Sequence, residues 1–109
     1  MTINEQIKAA VEPIVAVCVP DTYGGEATEY CTFNYTEIPE EFGDDMPELI
    51  RYAIQLHYFC PAGYNSIAKR QDLRRAILTA DFTAPDIIPA GDELSQHYVF
   101  EFEGLGGDV

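Results

Sequence analysis

The chain has 109 residues, 47% of them hydrophobic, with 19 acidic against 6 basic side chains and a formal net charge of -13. This length fits one domain, residues 1–109, with a modest hydrophobic core. The acidic excess argues against general attraction to nucleic acid or anionic lipid. No apolar run approaches the roughly 20 residues that a membrane helix needs, and the first residues do not have the pattern of a secretory leader.

The first elements are predicted to be a helix and two strands. Thr2 and Glu5 form a capping box, and apolar residues then recur at helical spacing, which predicts a helix from about Ile3 to Pro13. The β-branched run Val15–Val19 predicts a short strand, and the residues from Pro20 to Gly25 predict a turn. Alternating aromatic and β-branched residues over 29–38 predict the second strand.

Residues 39–48, "PEEFGDDMPE", predict an exposed acidic loop. The stretch has two prolines, one glycine and no base, a composition typical of a solvated connection. Its candidate interface residues are Glu40, Glu41, Asp44 and Asp45.

The second half predicts a long strand, a helix and one or two further strands. Residues 50–60 alternate regularly between apolar and mixed positions, which predicts a strand with one buried face. Asn65 or Ser66 can cap a helix that runs to about Ala80. A short strand at 86–88 and a strand over 95–103 follow, and the glycine-rich tail 104–109 is expected to be frayed.

This order of elements predicts an α+β fold. Strands grouped between two helices with short connections favour a mostly antiparallel sheet of four to five strands packed with two helices, in the order helix-strand-strand-strand-helix-strand. Three cysteines without CxxC spacing are expected to be free and mostly buried thiols.

The second helix carries most of the positive charge. Lys69, Arg70, Arg74 and Arg75 lie in the segment "AKRQDLRR". A nucleic-acid grip would need interleaved aromatics or a basic surround, and the segment has neither. Two interpretations remain: local pairing of these bases with Asp72 on the helix face, which is the leading one, and contact with the acidic loop of a neighbouring copy.

Catalytic and metal-binding patterns are weak. His57 and Cys60 are three residues apart in a predicted strand, so their side chains are expected on opposite faces. Neither His57 nor His97 belongs to a nucleophile motif, and the glycines match no phosphate-binding loop. The sequence therefore predicts no catalytic, metal or cofactor site, and a protein that is not an enzyme.

The ordered pattern of elements resembles phage tail terminator, or tail-completion, proteins, in particular those in prophages of Gram-positive bacteria. The resemblance spans residues 2–103 and is carried by five segments: "TINEQIKAAVEPI", "EYCTFNYTE", "RYAIQLHYFCPAG", "NSIAKRQDLRRAIL" and "SQHYVFEFE". It is a pattern of elements without a catalytic signature, and head-tail connector and minor tail families have similar patterns.

The resemblance implies a virion protein made in the host bacterial cytoplasm. Such a subunit assembles, typically as a hexameric ring, on the last ring of the tail tube, where its partners are other copies of itself, the tail tube protein and the head-tail connector. It carries no cofactor and catalyses nothing, and DNA meets it only as passing cargo. A head-tail connector or minor tail component is the alternative within this class, and a cytosolic small-ligand binding module or small enzyme is the alternative from another class.

Overall fold

The computed structural model describes residues 2–40 and 49–107. Within them the chain forms two helices and five strands. In chain order these are α1 (Ile3–Val11), β1 (Cys18–Pro20), β2 (Tyr30–Glu40), β3 (Leu49–Pro61), α2 (Ile67–Thr79), β4 (Asp86–Pro89) and β5 (Ser95–Gly107).

The strands form one mixed sheet in the order β1-β2-β3-β5-β4. β1 pairs with β2 in parallel, and the other three pairings are antiparallel. The predicted α+β class, with a mostly antiparallel sheet and two helices, is therefore confirmed. The strand over 86–88 is a member of the sheet, and β4 pairs with β5 at its edge.

Alternation along the strands gives the sheet one buried and one uncovered face. The buried side of β3 carries Ile54, Leu56, Tyr58 and Cys60, each no more than 1% exposed. Both helices contribute to the same core cluster, so they pack on this one face. The cluster also contains Ile7, Val11, Cys31, Phe33, Leu73, Ile77, Phe100 and Phe102.

The helix starts agree only in part with their predictions. In α1 the Thr2 hydroxyl accepts from the Glu5 amide and the Glu5 carboxylate accepts from the Thr2 amide, which confirms the capping box. α2 begins after Ser66, but the Ser66 side chain makes no capping bond, and the Asn65 side chain accepts from the Ile67 amide instead. Ile67, the first residue of α2, is 55% exposed although it is apolar.

The first two strands differ from their predicted bounds. β1 begins at Cys18, three residues later than predicted, because the chain turns after α1 and Val15 is buried in that turn. β2 continues through Pro39 and Glu40, which were predicted to be loop, because β3 offers the pairing partners Ile50 and Leu49. Glu41, Asp44 and Asp45 lie outside the described residues.

The expectation of a frayed tail is wrong for residues 104–107. They continue β5 and pair with residues 49–52 of β3. Gly104 lies directly under the ring of Phe82, where a Cβ would be only 2.5 Å from Phe82 Cδ1. The glycines therefore allow close packing of aromatic rings on the strand here, and they do not mark its end.

The long strands extend past the helices. A 13-residue strand such as β3 is about 43 Å long at ~3.3 Å per residue, whereas the 13 residues of α2 span about 20 Å. β1 and β4 pair only with residues 31–33 and 98–101. Residues 36–40, 49–53 and 103–107 therefore form a three-stranded arm, and the molecule measures 54 × 25 × 23 Å.

Candidate functional site

The side of the sheet opposite the two helices, here called the helix-free face, is covered by neither of them. It is made by the outward-pointing residues of β2, β3, β4 and β5. They are Tyr30, Thr32, Asn34 and Thr36; Arg51, Ala53, Gln55, His57 and Phe59; Asp86 and Ile88; and His97, Val99, Glu101, Glu103 and Leu105.

Two histidines meet at the centre of this face. His57 Nδ1 and His97 Nε2 are 2.8 Å apart, and the Asn34 amide nitrogen is 3.3 Å from His57 Nε2. If the Asn34 amide donates, His57 accepts at Nε2 and donates from Nδ1 to His97. The three side chains then form one directional hydrogen-bond chain across β2, β3 and β5.

This arrangement favours neutral imidazoles. Burial lowers the pKa of His57, and burial together with the neighbouring His57 lowers the pKa of His97. A protonated His97 would direct an N–H from Nε2 at the N–H of His57, so the two donors would oppose each other. The predicted opposite orientation of His57 and Cys60 is confirmed, since Cys60 is buried on the other face of β3.

Aromatic rings continue from the histidine pair toward one end of the sheet. The rings of His97 and Phe59 stack with centroids 4.1 Å apart, Phe59 stacks on Tyr30 at 4.8 Å, and Tyr30 contacts Tyr23 at 4.7 Å. All four side chains are only partly buried. An apolar and aromatic surface of this kind is typical of a contact site for another macromolecule.

The other end of the face is acidic and polar. Asp86 and Glu101 are direct cross-strand partners, Glu101 accepts from Gln55 at 3.1 Å, and Glu103 pairs with Arg51 at 3.1 Å. The side chains of Gln55, Asp86, Glu101 and Glu103 border an open groove of about 530 Å³. Like charges placed directly opposite each other destabilise a sheet unless a cation joins them.

Two of the four basic residues on the second helix make contacts within the same chain. Lys69 donates to the backbone oxygen of Ile14 at 2.8 Å and to the Glu29 carboxylate at 3.3 Å, and the Glu29 carboxylate also accepts from the buried Tyr58 hydroxyl at 2.6 Å. Arg70 stacks on the Tyr98 ring at 4.3 Å. Lys69 therefore ties α2 to the loop before β2.

The other two basic residues are exposed. Arg75 pairs with Asp72 at 3.5 Å, one turn earlier on the same helix, so local pairing on the helix face is confirmed for this side chain. Arg74 is exposed and makes no ion pair with any described residue. Glu40 is described only through its backbone in β2, so the predicted contact between the basic helix and the acidic loop stays a prediction.

A second groove, of about 850 Å³, runs between α1 and α2. Apolar residues make up most of its lining, including Ala9, Ala10, Ala76 and Ala80, and Asp81 and the Asp72–Arg75 pair also line it. This composition gives the groove neither a nucleophile with an adjacent base nor a set of converging charges.

The thiols and carboxylates do not form a reactive centre within the described ranges. Cys18, Cys31 and Cys60 are free and buried, as predicted. Burial raises the pKa of Cys18 to about 12 and also raises the pKa of Cys31 and Cys60, so all three remain thiols near neutral pH. Over residues 2–40 and 49–107 no three His, Cys, Asp or Glu side chains converge on a possible metal site. No described helix is long and apolar enough to span a membrane.

The sequence could not reveal the histidine pair in advance. His57 and His97 are 40 positions apart, and they meet only because β3 and β5 pair with Phe59 opposite His97. Comparison of the chain with models of known protein families finds no match, and comparison with curated proteins finds none either. The functional proposal therefore rests on the resemblance in the order of elements and on the geometry of the surfaces.

Proposed function

We propose that this chain is a non-enzymatic phage virion protein, a tail terminator or tail-completion subunit that acts by assembly. It would cap the tail tube and join it to the head connector. The resemblance in the order of elements suggests this class of protein. The structural observation that supports it is the extent of uncovered sheet, because the helix-free face and the three-stranded arm leave a large part of the sheet without cover in a single chain.

A ring of identical subunits accounts for this exposure physically. Partly exposed aromatic rings at one end of the sheet face are a poor surface to leave in water. In a ring each copy can cover such a surface of its neighbour, and a heterologous contact closes when its rotation permits. A hexamer is the expected ring size from the resemblance.

The acidity of the chain fits a conduit for DNA. A lumen lined by carboxylates repels phosphates weakly and lets the duplex slide, whereas a basic lining would hold it. We therefore propose that Glu40, Glu41, Asp44 and Asp45 face the lumen or the adjacent subunit.

Mass measurement with and without the tail tube protein tests the proposal. The partner to use is the tail tube protein of the same phage, purified as assembled tubes, and native mass spectrometry and electron microscopy are the readouts. We expect a ring of this chain at one end of each tube and no further tube growth. A subunit that leaves tube ends bare but binds the head connector would be a connector component instead, and one that binds neither would contradict the proposal.

A further inference from the structure

Two uncovered surfaces of the chain match each other but lie on opposite sides of the sheet. The first is the outer stripe of α2, formed by Ile67, Gln71, Arg74 and Leu78, which are close together on a helical wheel at 100° per residue. Ile67 is 55% and Leu78 is 42% exposed. An exposed guanidinium thus lies between two exposed aliphatic side chains, a pattern typical of a helix that packs on a partner.

The second surface is the β4–β5 end of the helix-free face. Ile88, 44% exposed, lies beside Val99, and Asp86 lies beside Glu101. The carboxylates of Asp86 and Glu101 have no ion pair with any residue that the structure describes. This region therefore offers an aliphatic contact next to two adjacent negative charges, whose mutual repulsion a cation would relieve.

The spacings of the two surfaces agree. Arg74 and Leu78 are one helical turn apart, about 6 Å along α2. Asp86 and Ile88 are two residues apart on one face of β4, about 7 Å. A guanidinium placed at the Asp86–Glu101 pair can therefore bring Leu78 onto Ile88 in the same docking pose.

We propose that the outer stripe of α2 in one copy docks on the β4–β5 end of the helix-free face in the next copy, with Arg74 between Asp86 and Glu101. This inference rests on the proposed function in taking a second copy as the occupant. Because α2 packs on the other side of the sheet, a single chain cannot join the two surfaces. The contact is consequently heterologous, the kind that builds rings.

Cross-linking of two single-cysteine variants tests the geometry. Leu78→Cys copies are mixed with Ile88→Cys copies under mild oxidation, and the expected product is a covalent dimer in the mixture that neither variant forms alone. The three native cysteines are buried thiols with raised pKa, so they should contribute little. Equal cross-linking in all three samples would contradict a heterologous contact.

A charge exchange tests the pairing. Arg74→Glu should weaken self-association by about tenfold or more, because it adds a third carboxylate to the Asp86–Glu101 pair. Asp86→Lys should weaken it as well, and the double variant should recover most of the loss. Lys8→Glu and Glu12→Lys carry the same charge changes on α1 and serve as matched controls, and circular dichroism checks that every variant is folded.

Association is measured by native mass spectrometry for the free protein and for the tube-bound assembly. If a ring forms on tubes and the Arg74→Glu and Asp86→Lys variants assemble as well as wild type, this inference is wrong and the proposed function still holds. Absence of self-association in both settings would overturn both proposals.

Discussion

His57 and His97 are the two histidines of the chain, and the sheet joins them at 2.8 Å. Protonation destabilises this contact at low pH, because it adds an N–H group to an imidazole nitrogen that already faces an N–H of the other ring. The unfolded chain has no such restriction, so at mildly acidic pH it binds more protons than the folded protein does. Linkage then requires the free energy of unfolding to fall as protons are added.

The histidine pair should make the protein less stable below neutral pH. The pKa of each ring is lowered in the fold, so the stabilisation is complete above the ordinary histidine value of about 6.5 and is lost as the pH falls through and below it. We expect urea denaturation to show a lower free energy of unfolding at about pH 5.5 than at about pH 7.5.

A His57→Gln, His97→Gln double variant serves as the control, because glutamine keeps hydrogen-bonding capacity on the face and does not titrate. Its free energy of unfolding should change less over the same pH interval. NMR titration of the wild-type ring protons should also give pKa values below the ordinary one. If wild type and variant depend equally on pH, the pair does not titrate in the way that its geometry indicates.

At the scale of elements, β5 depends on glycine where the arm begins. Phe82 lies on Gly104, and the ring of Tyr52 lies on Gly106, where a Cβ would be 2.7 Å from Tyr52 Cε2. Each ring therefore packs directly on the backbone of β5, in the space that a side chain at the glycine position would occupy. The strand gains aromatic cover there in place of side-chain contacts of its own.

Gly104→Ala should destabilise the protein, because Phe82 is only 7% exposed and packs on Phe102 with ring centroids 5.1 Å apart. The ring has little room to move, so we expect a loss of about 1–3 kcal/mol in the free energy of unfolding, measured by urea denaturation. Gly63→Ala is the matched control, since a Cβ there meets nothing within 4 Å. A Gly104→Ala variant as stable as the control would mean that the ring is free to shift.

These elements show why periodicity predicted part of the structure and not the rest. Alternation over residues 50–60 predicted β3 and its buried face, because successive side chains of a strand point to opposite faces. A strand buried on one side therefore has an apolar residue at every second position of its own sequence. The extension of β5 through 104–107 depends on pairing with β3 and on Phe82, which lies 22 positions before Gly104. Composition alone favoured a frayed tail for these glycines. The position of Lys69 was missed for the same reason, because its partners Ile14 and Glu29 lie in distant segments.

At the scale of the whole molecule, charge and shape act together. A net charge of -13 is carried by a body only about 25 Å across its two short axes. The described ion pairs, Arg51–Glu103, Lys69–Glu29 and Arg75–Asp72, offset little of this charge. Repulsion among carboxylates therefore opposes the compact state, and it equally opposes the approach of a second copy except where a base is presented.

Salt should consequently stabilise the folded chain. Raising NaCl from about 0.01 M to about 0.15 M shortens the screening length from roughly 30 Å to roughly 8 Å. This weakens the repulsion between distant carboxylates, whereas the attraction within the three ion pairs, whose charges are in contact, is weakened much less. We expect the thermal midpoint to rise over this range. Glu12→Gln combined with Glu93→Gln removes two exposed negative charges and should raise the midpoint in low salt while reducing its dependence on salt. A midpoint that falls with salt in the wild type would instead mean that attractive pairs outweigh repulsion in this protein.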